Sequence, residues 1–320
     1  MTRYSRQMIL PEVGDDGQKR LSNSRVLVIG AGGLAAPVLP LLTGAGVGHL
    51  TVMDGDVVEQ SNLHRQTLFT EKDCGRSKAE AAAQRCRELN REIEISDLNQ
   101  PLTSENVANL VSKHDLVLDC ADSYAASYTL SDSCLELRKP LISASVLGLS
   151  GYVGGFCGRA PSLRAVFPES PDSGASCATA GVLGPVVAML GSLQAQMALG
   201  VILGLEPSSL GHLVQFDART FRSTGFRFDQ APEPAQAFRF VSASQLSEAD
   251  VIVELRDAAE APELIHPSAK RTTPEDLISE PNKEKRLALC CATGLRAWRA
   301  AERIQPDWPG EIVLVAASTS

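Results

Sequence analysis

A short glycine run that follows an apolar stretch near the N-terminus could cradle a phosphate group. Residues 25–29 read RVLVI and lead into Gly30-Ala31-Gly32-Gly33. This pattern predicts a buried strand, a tight turn and a helix whose free amide groups attract phosphate. Asp54 lies about 20 residues further on, where a carboxylate can accept hydrogen bonds from ribose hydroxyls. We expect a nucleotide site here, although an empty strand–helix turn or a dinucleotide dehydrogenase would show the same pattern.

Two cations and a further carboxylate favour ATP over a nicotinamide cofactor. Arg65 lies in the stretch 61–66 (SNLHRQ), Lys78 opens a predicted helix, and Asp122 follows a predicted strand. Lysine and arginine neutralise phosphate charge, and a carboxylate at the end of a strand can hold Mg²⁺. Hydride transfer to or from a nicotinamide cofactor needs neither the two cations nor the further carboxylate. The spacing therefore predicts ATP and Mg²⁺.

Two of the eight cysteines stand in contexts that could make a thiol reactive. Cys177 precedes a helix predicted to begin near Val182, and Cys291 lies between a predicted strand and a predicted helix. Backbone N–H groups at a helix N-terminus lower a thiol pKa and stabilise a thiolate or persulfide. A small buried residue is the alternative interpretation of Cys177.

Alternating strands and helices must position these residues. The predicted elements lie at 25–29, 34–44, 49–54, 78–90, 92–99, 104–113, 115–119 and 140–144, with closing strands at 213–217 and 221–228. This alternation predicts an α/β, Rossmann-like fold, a mostly parallel sheet with helices on both faces. The apolar segment 184–204 is predicted to be a long buried helix rather than a membrane span.

A second, small α/β domain is predicted after residues 230–237 (QAPEPAQA), which are typical of a linker. Its predicted strands lie at 251–255, 287–291 and 311–315, and its helix at 295–304. We therefore divide the chain into residues 1–229, the linker, and residues 238–320.

Composition narrows the class of protein further. The chain has 320 residues, 44% of them hydrophobic and 21% charged, with a net charge of −8. These values are typical of a globular protein, and the acidic balance argues against broad nucleic-acid binding. The polar N-terminus has no secretory h-region. We expect a cytoplasmic protein that binds neither nucleic acid nor membranes.

Several motifs together resemble the MoeB/ThiF family, which is related to ubiquitin-activating enzymes. They are RYSRQ at 3–7, GAGGL at 30–34, GAGVG at 44–48, NLHRQ at 62–66, Lys78, DCAD at 119–122 and SCATAGV at 176–182. The resemblance covers residues 1–229. It implies ATP-dependent adenylation of the C-terminal Gly-Gly carboxylate of a small ubiquitin-like sulfur-carrier protein.

The resemblance also implies roles for single residues. It puts Asp54 on the ribose, Asp122 at Mg²⁺, and the remaining nucleotide contacts on Gly30, Gly32, Gly33, Asn62, Arg65, Gln66 and Lys78. Arg6 matches an arginine that acts across the interface of a homodimer. Cys177 matches a cysteine that can form a covalent link with the carrier.

Two departures from the family pattern matter. Ser123 follows the Mg²⁺ aspartate where asparagine is usual. The family's zinc site uses two C-x-x-C pairs, but Ser162 and Ala165 occupy the first pair of positions and residues 229–237 contain no cysteine. We therefore predict that no zinc is bound and that packing meets its structural role.

Residues 290–296 (CCATGLR) resemble the active loop of rhodanese domains, with Cys291 bearing the sulfur. The weaker match spans residues 238–316. Ala292 stands where a basic residue is common, Glu254 replaces the usual aspartate, and the end lacks the familiar Gly-Gly. An active sulfurtransferase, fed by a donor such as a cysteine desulfurase, and a degenerate docking domain both remain open. For the whole chain, a non-catalytic docking scaffold and an NAD-dependent oxidoreductase are the alternatives.

Overall fold

The larger of two sheets carries the glycine run at the end of its first strand. The computed structural model describes residues 3–170, 181–273 and 284–317. The strands of this sheet are β1 (Arg25–Ile29), β2 (His49–Met53), β3 (Glu94–Leu98), β4 (Leu116–Asp119), β5 (Pro140–Leu147), β6 (Ser150–Cys157), β7 (His212–Asp217) and β8 (Arg222–Arg227). They lie in the order β3-β2-β1-β4-β5-β6-β7-β8, parallel from β3 to β5 and antiparallel from β5 to β8.

Helices cover both faces of this sheet. They are α1 (Ser5–Met8), α2 (Gly14–Asn23), α3 (Ala35–Ala45), α4 (Lys78–Leu89), α5 (Val107–Ser112), α6 (Tyr124–Glu136), α7 (Leu163–Val166) and α8 (Gly184–Leu203). Val26 and Val28 of β1 share a core with α3, α4 and α8, whereas Leu27 and Ile29 share one with α5 and α6. Successive strand residues thus point to opposite buried faces, as in parallel sheets. The predicted α/β, Rossmann-like fold is confirmed.

Helix α8 is long and apolar enough to cross a membrane by length and composition, yet 56% of its most apolar window is buried within the protein. Its one fully buried polar side chain, Gln194, donates from Nε2 to the carbonyl oxygens of Asp119 (2.7 Å) and Ile142 (3.0 Å). These bonds tie the helix to the carboxyl end of β4 and to the amino-terminal half of β5, which agrees with the predicted buried core helix.

Several elements differ from the sequence prediction. Helices α2 and α6 and strand β6 were not predicted, and α5 begins at Val107 rather than at residue 104. The α6 sequence is rich in Ser and Thr, which favour caps and turns over helix interiors. Ser123 nonetheless caps α6 by accepting from the Ala126 N–H at 3.1 Å. Reciprocal bonds between Thr103 and Asn106 form a turn that delays α5.

The smaller sheet is wholly parallel. It comprises β9 (Arg239–Phe240), β10 (Val251–Glu254), β11 (Lys270–Arg271), β12 (Leu287–Cys291) and β13 (Ile312–Ala316), in the order β11-β10-β12-β13-β9. Helix α9 (Leu295–Ile304) packs on β12 and β13. Leu287, Leu289 and Trp298 belong to the same buried cluster as Tyr128 of α6. The two sheets are therefore joined by a shared apolar core.

Polar contacts reinforce this junction. The Arg164 side chain is only 4% exposed and donates to the Asp132 carboxylate at 2.6 Å and to the Phe238 carbonyl at 2.9 Å. Ser162 donates from its backbone N–H (2.7 Å) and its hydroxyl (2.5 Å) to the carboxylate of Glu233. Ser162 stands where the resemblance puts a zinc-binding cysteine, so a hydrogen-bonded clamp occupies this position.

Candidate nucleotide site

The glycine turn is held in a shape that only glycine tolerates at its first position. Gly30 has a φ of +88°, and a Cβ built there would lie 2.6 Å from the carbonyl oxygen of Cys120. A side chain would therefore clash with the end of β4. The turn consequently brings the end of β1 against the residues that follow β4, which include Asp122.

Asp54, directly after β2, supports this turn. One carboxylate oxygen accepts from the Ala31 N–H at 2.7 Å and the other from the Asp56 N–H at 2.8 Å. Burial raises the pKa of the Asp54 carboxyl, and these two N–H donors oppose the rise. Asp54 thus shapes the phosphate loop as well as standing in the position predicted to bind ribose.

Lys78, the first residue of α4, is 8% exposed and is aimed by a carboxylate. Its ammonium donates to Asp56 at 2.8 Å, while its backbone N–H donates to the Asp56 carbonyl at 2.9 Å. Asp56 was not among the predicted site residues. Its position two residues after Asp54 was the available signal. An ammonium has three donors, so two N–H groups of Lys78 remain for a phosphate.

Arg65 and Gln66 come from the loop between β2 and α4. The Arg65 guanidinium lies 2.9 Å from His64 Nε2 and 3.4 Å from the Ser61 carbonyl. Gln66 is 4% exposed, and its Oε1 is buried without a hydrogen-bond partner in the part of the chain that the structure describes. An unpaired buried acceptor is costly, so this oxygen is suited to accept from a bound ligand.

Two aspartates near the end of β4 have different environments. Asp119 is fully buried and accepts from the Ser143 hydroxyl at 2.7 Å and the Ala121 N–H at 3.2 Å. Burial raises its pKa to about 6. Asp122 is exposed and faces the cavity. Asp122 is therefore the carboxylate of this pair that can reach a bound cation.

These residues converge on one cavity of about 740 Å³. Its lining includes eight of the predicted nucleotide-site residues, namely Gly30, Gly32, Gly33, Asp54, Arg65, Gln66, Lys78 and Asp122. Asn62 is buried beside them, donates to Ser61 Oγ at 3.2 Å and does not line the cavity. Arg6 is exposed on α1, away from the lining. Cys177 lies outside the described residues.

The cavity also has walls that the sequence did not indicate. Residues 100–104 follow β3, and Tyr128, Tyr152 and Phe167 add aromatic surface. Chain elements far apart in sequence supply these residues, so only the folded arrangement reveals them. Across the described ranges, no group of three or more His, Cys, Asp or Glu side chains could hold a metal ion.

Cys291 ends β12 and stands at the start of α9, as predicted, but its side chain is completely buried. Its sulfur accepts from the Gly294 N–H at 3.1 Å and the Ala297 N–H at 3.4 Å. Arg296, on the first turn of α9, donates to Glu260 and to the Leu255 carbonyl. The structure thus contains the amide cradle and closes it from solvent.

The residues around Cys291 are paired among themselves. Glu254, 1% exposed, accepts from the Arg256 guanidinium at 2.6 and 2.8 Å. Burial, followed by the Glu254 charge, raises the pKa of the neighbouring Cys290 thiol to about 12. Cys290 is therefore a protonated core residue at neutral pH.

Comparisons with known proteins agree with this arrangement. Residues 4–238 match the ThiF family. The adenylyltransferase and sulfurtransferase MOCS3 of Drosophila ananassae is 43% identical over 71% of this chain, and the sulfur carrier protein adenylyltransferase of Thermus thermophilus is 43% identical over 68%. The match covers 51% of the first relative and 83% of the second, so the chain spans about half the length of the MOCS3 relatives.

A solved structure has the same fold. E. coli MccB in complex with ATP superposes with a TM-score of 0.64 at 21% identity, over 73% of this chain and 74% of that one.

Proposed function

Because the chain belongs to the ThiF family, we propose that it uses ATP to adenylate the C-terminal carboxylate of a ubiquitin-like sulfur-carrier protein ending in Gly-Gly. The names of its relatives support this activity. The observation that carries the proposal is the single cavity in which the glycine turn, Lys78, Arg65 and Asp122 converge. A phosphate cradle with two cations and an exposed carboxylate suits ATP better than it suits a nicotinamide.

In the proposed reaction, a carboxylate oxygen of the carrier attacks the α-phosphorus of ATP. The bond from that phosphorus to the bridging oxygen breaks, and pyrophosphate leaves. Negative charge gathers on phosphate oxygens, so positioned cations and backbone amides provide most of the stabilisation. Lys78, oriented by Asp56, and Arg65 supply the cations, and the amides of the Gly30–Gly33 turn orient the phosphates.

Asp122 fits the proposed Mg²⁺. In nucleotide sites this ion is commonly held by one or two carboxylates together with phosphate oxygens and water, and Asp122 presents an exposed carboxylate in the cavity. Buried Asp119 already accepts from Ser143 and Ala121 and is a poor ligand. When bound, the ion would neutralise charge on the phosphates.

Arg6 belongs, in this proposal, to the active site of a second copy. It lies on α1, and exposed Ile9 (70%) and Leu10 (53%), which directly follow this helix, add apolar surface. Helix α1 is held against the end of α3, because the Gln7 side chain donates to the Ala45 carbonyl at 2.8 Å. A two-fold dimer would use the same surface on both copies. We assign Arg6 to a composite site of a cytoplasmic homodimer.

Sulfur transfer by Cys291 is the second candidate activity, and the two N–H donors at its sulfur favour it. A persulfide on Cys291, loaded by a donor such as a cysteine desulfurase, would require the loop to open, because the thiol is buried. We retain the division into residues 1–229, the joining segment 230–237 and a rhodanese-like unit over 238–320. Cys177 is proposed to capture the activated carrier.

Carrier-dependent exchange of labelled pyrophosphate into ATP tests the proposed function. We expect exchange only when both the carrier and Mg²⁺ are present. ATP binding without exchange would indicate the docking scaffold, and a change in nicotinamide absorbance would indicate the oxidoreductase.

A further inference from the structure

The nucleotide cavity is not built by the larger sheet alone. Four residues of the region 238–317 line the same cavity as Asp54 and Lys78, namely Phe240, Val241, Ser242 and Ala316. They lie at the ends of β9 and β13, the paired strands at one edge of the smaller sheet. The smaller sheet is therefore a wall of the site.

Hydrogen bonds hold this wall against one particular part of the cavity. The Ser104 hydroxyl accepts from the Ser242 N–H at 2.9 Å and donates to Gln245 Oε1 at 2.5 Å. Next to it, the Ser244 hydroxyl donates to Glu105 at 2.6 Å. Ser104 ends the segment 100–104, which follows β3 and lines the cavity.

The order of strands indicates what this part of the cavity receives. The phosphate-binding turn follows β1, and Asp54, the predicted ribose contact, follows β2. Strand β3 is the next strand outward, so the segment 100–104 lies on the far side of Asp54 from the phosphate turn. A nucleotide that places its phosphates at the turn and its ribose at Asp54 puts its base there.

Phe240, two residues before Ser242, is the aromatic side chain that the smaller sheet contributes to the cavity lining. Its side chain is 7% exposed, and its ring packs against Gly294 so closely that a Cβ on that glycine would overlap it. The Trp298 ring lies 6.4 Å from the Phe240 ring and 4.6 Å from the Tyr128 ring, and Tyr128 also lines the cavity. Phe240 is thus fixed in position by its own domain.

We propose that Phe240 is a nucleotide-binding residue, and that the smaller sheet closes the end of the cavity that receives the adenine base. This inference rests on the proposed ATP-dependent function. It gives the rhodanese-like unit a role in the adenylation site that is independent of the chemistry of Cys291. Apolar and aromatic walls with few polar groups are typical of pockets that enclose a flat ligand.

Calorimetry on the full chain tests the proposal, with α,β-methylene-ATP plus Mg²⁺ and with pyrophosphate plus Mg²⁺ as probes. Phe240→Ala should weaken the ATP analogue by about tenfold, because it removes the buried ring beside the base, and should leave pyrophosphate binding unchanged. Phe240→Leu should recover part of the loss. Leu246→Ala is the matched control, because Leu246 is 7% exposed in the same unit and does not line the cavity.

The outcomes separate this proposal from the proposed function. Equal loss of both ligands in Phe240→Ala, the same loss in Leu246→Ala, or no loss at all would overturn the role of Phe240. Failure of the unaltered protein to bind the ATP analogue would instead overturn the proposed function, and this inference with it.

Tryptophan fluorescence gives a second measurement. The chain has two tryptophans, so Trp308→Phe leaves Trp298, beside Phe240 and Tyr128, as the single reporter. The ATP analogue should change its emission, whereas pyrophosphate should not. A Trp298→Phe variant should lose the response. An unchanged Trp298 spectrum at saturating analogue would contradict the proposal.

Discussion

Two strand–turn–helix units in this protein share the same local geometry, but one faces a cavity and the other faces a buried thiol. The turn after β1 begins at Gly30 (φ +88°), and the loop after β12 ends at Gly294 (φ +84°); each leads into a helix. Around Gly30 the turn opens into a cavity of about 740 Å³. At Cys291 the amides are directed at the protein's own sulfur, and the thiol is fully buried.

Access to solvent, rather than loop geometry, separates the two sites. Backbone N–H groups at the start of a helix attract an anion in either unit. The two turns differ in the residues that surround them. Exposed Asp122 and half-buried Arg65 border the first turn, whereas Phe240 and Trp298 pack around the second. The structure therefore describes an open cavity at the first turn and a closed loop around Cys291 at the second.

The largest effect is expected from a substitution in the open cavity. Lys78→Met should reduce pyrophosphate exchange by about a hundredfold or more, because the variant loses a charge at the developing phosphate anion. Cys291→Ser should leave exchange unchanged. Lys113→Met, which alters an exposed lysine outside the cavity, is the control. Equal exchange rates in the parent and in Lys78→Met would remove Lys78 from the reaction.

The second prediction concerns the closed site. Arg164→Met should lower the free energy of unfolding by about 3 to 5 kcal/mol, because it leaves the Asp132 carboxylate without its buried partner. Since Arg164 also holds the Phe238 carbonyl, loosening this contact should speed labelling of Cys291 by a thiol reagent.

A surface pair provides the matched control for that experiment. Arg239→Met breaks the exposed Arg239–Glu136 pair, with side chains 64% and 58% exposed, and should cost at most about 1 kcal/mol. Equally slow labelling of Cys291 in Arg164→Met and in the parent would show that this junction does not keep the sulfur loop closed.

The third prediction concerns the pKa of Asp119 and the pH dependence of stability. The Asp119 pKa is about 6 in the folded protein and about 3.9 in an unfolded chain. Because the pKa of Asp119 is higher in the folded protein, its protonation stabilises the fold. This stabilisation is complete at pH values below the unfolded pKa and is lost as the pH rises through about 6. Relative to Asp119→Asn, the parent should therefore lose about 2 to 3 kcal/mol of unfolding free energy between pH 4 and pH 7. A pH-independent difference between the two proteins would contradict this assignment.

The smallest predicted effect concerns the clamp at the position of the absent cysteines. Glu233→Ala should cost about 1 to 2 kcal/mol of unfolding free energy, because the Ser162 N–H and hydroxyl lose their acceptor. Thermal unfolding is the measurement.

Thermal unfolding of the parent should also be unaffected by a chelator, because we predict that no zinc is bound. Elemental analysis that finds one zinc per chain would refute that prediction.

The sequence predicted most of the nucleotide end of the larger sheet, because its residues follow strands within short, recognisable motifs. Gly30, Asp54 and Lys78 each lie at the end of a strand or the start of a helix. Helix α6 escaped prediction because its Ser and Thr content hides the helical signal. The cavity wall that includes Phe240 could not be predicted, because Ser242 of that wall meets Ser104 only through tertiary packing.

The burial of Cys291 could not be predicted for the same reason. The motif CCATGLR indicates the loop and the amide donors, since these are local in sequence. The thiol lies in the same buried cluster as Phe240, Trp298 and Tyr128 of α6, and no local sequence pattern encodes that cluster. The sulfur chemistry of the smaller sheet therefore stays a proposal, while its contact with the nucleotide cavity follows from the structure.

Transfer of label from ATP to the carrier is the most direct test of the proposed adenylation. The protein would be mixed with Mg²⁺, ATP radiolabelled in its α-phosphate, and a purified sulfur-carrier protein ending in Gly-Gly. A carrier lacking its terminal glycine serves as the control. We expect label bound to the intact carrier, with release of pyrophosphate, and loss of that label in Asp122→Ala. Unlabelled carrier in a mixture where the protein demonstrably binds ATP would contradict it.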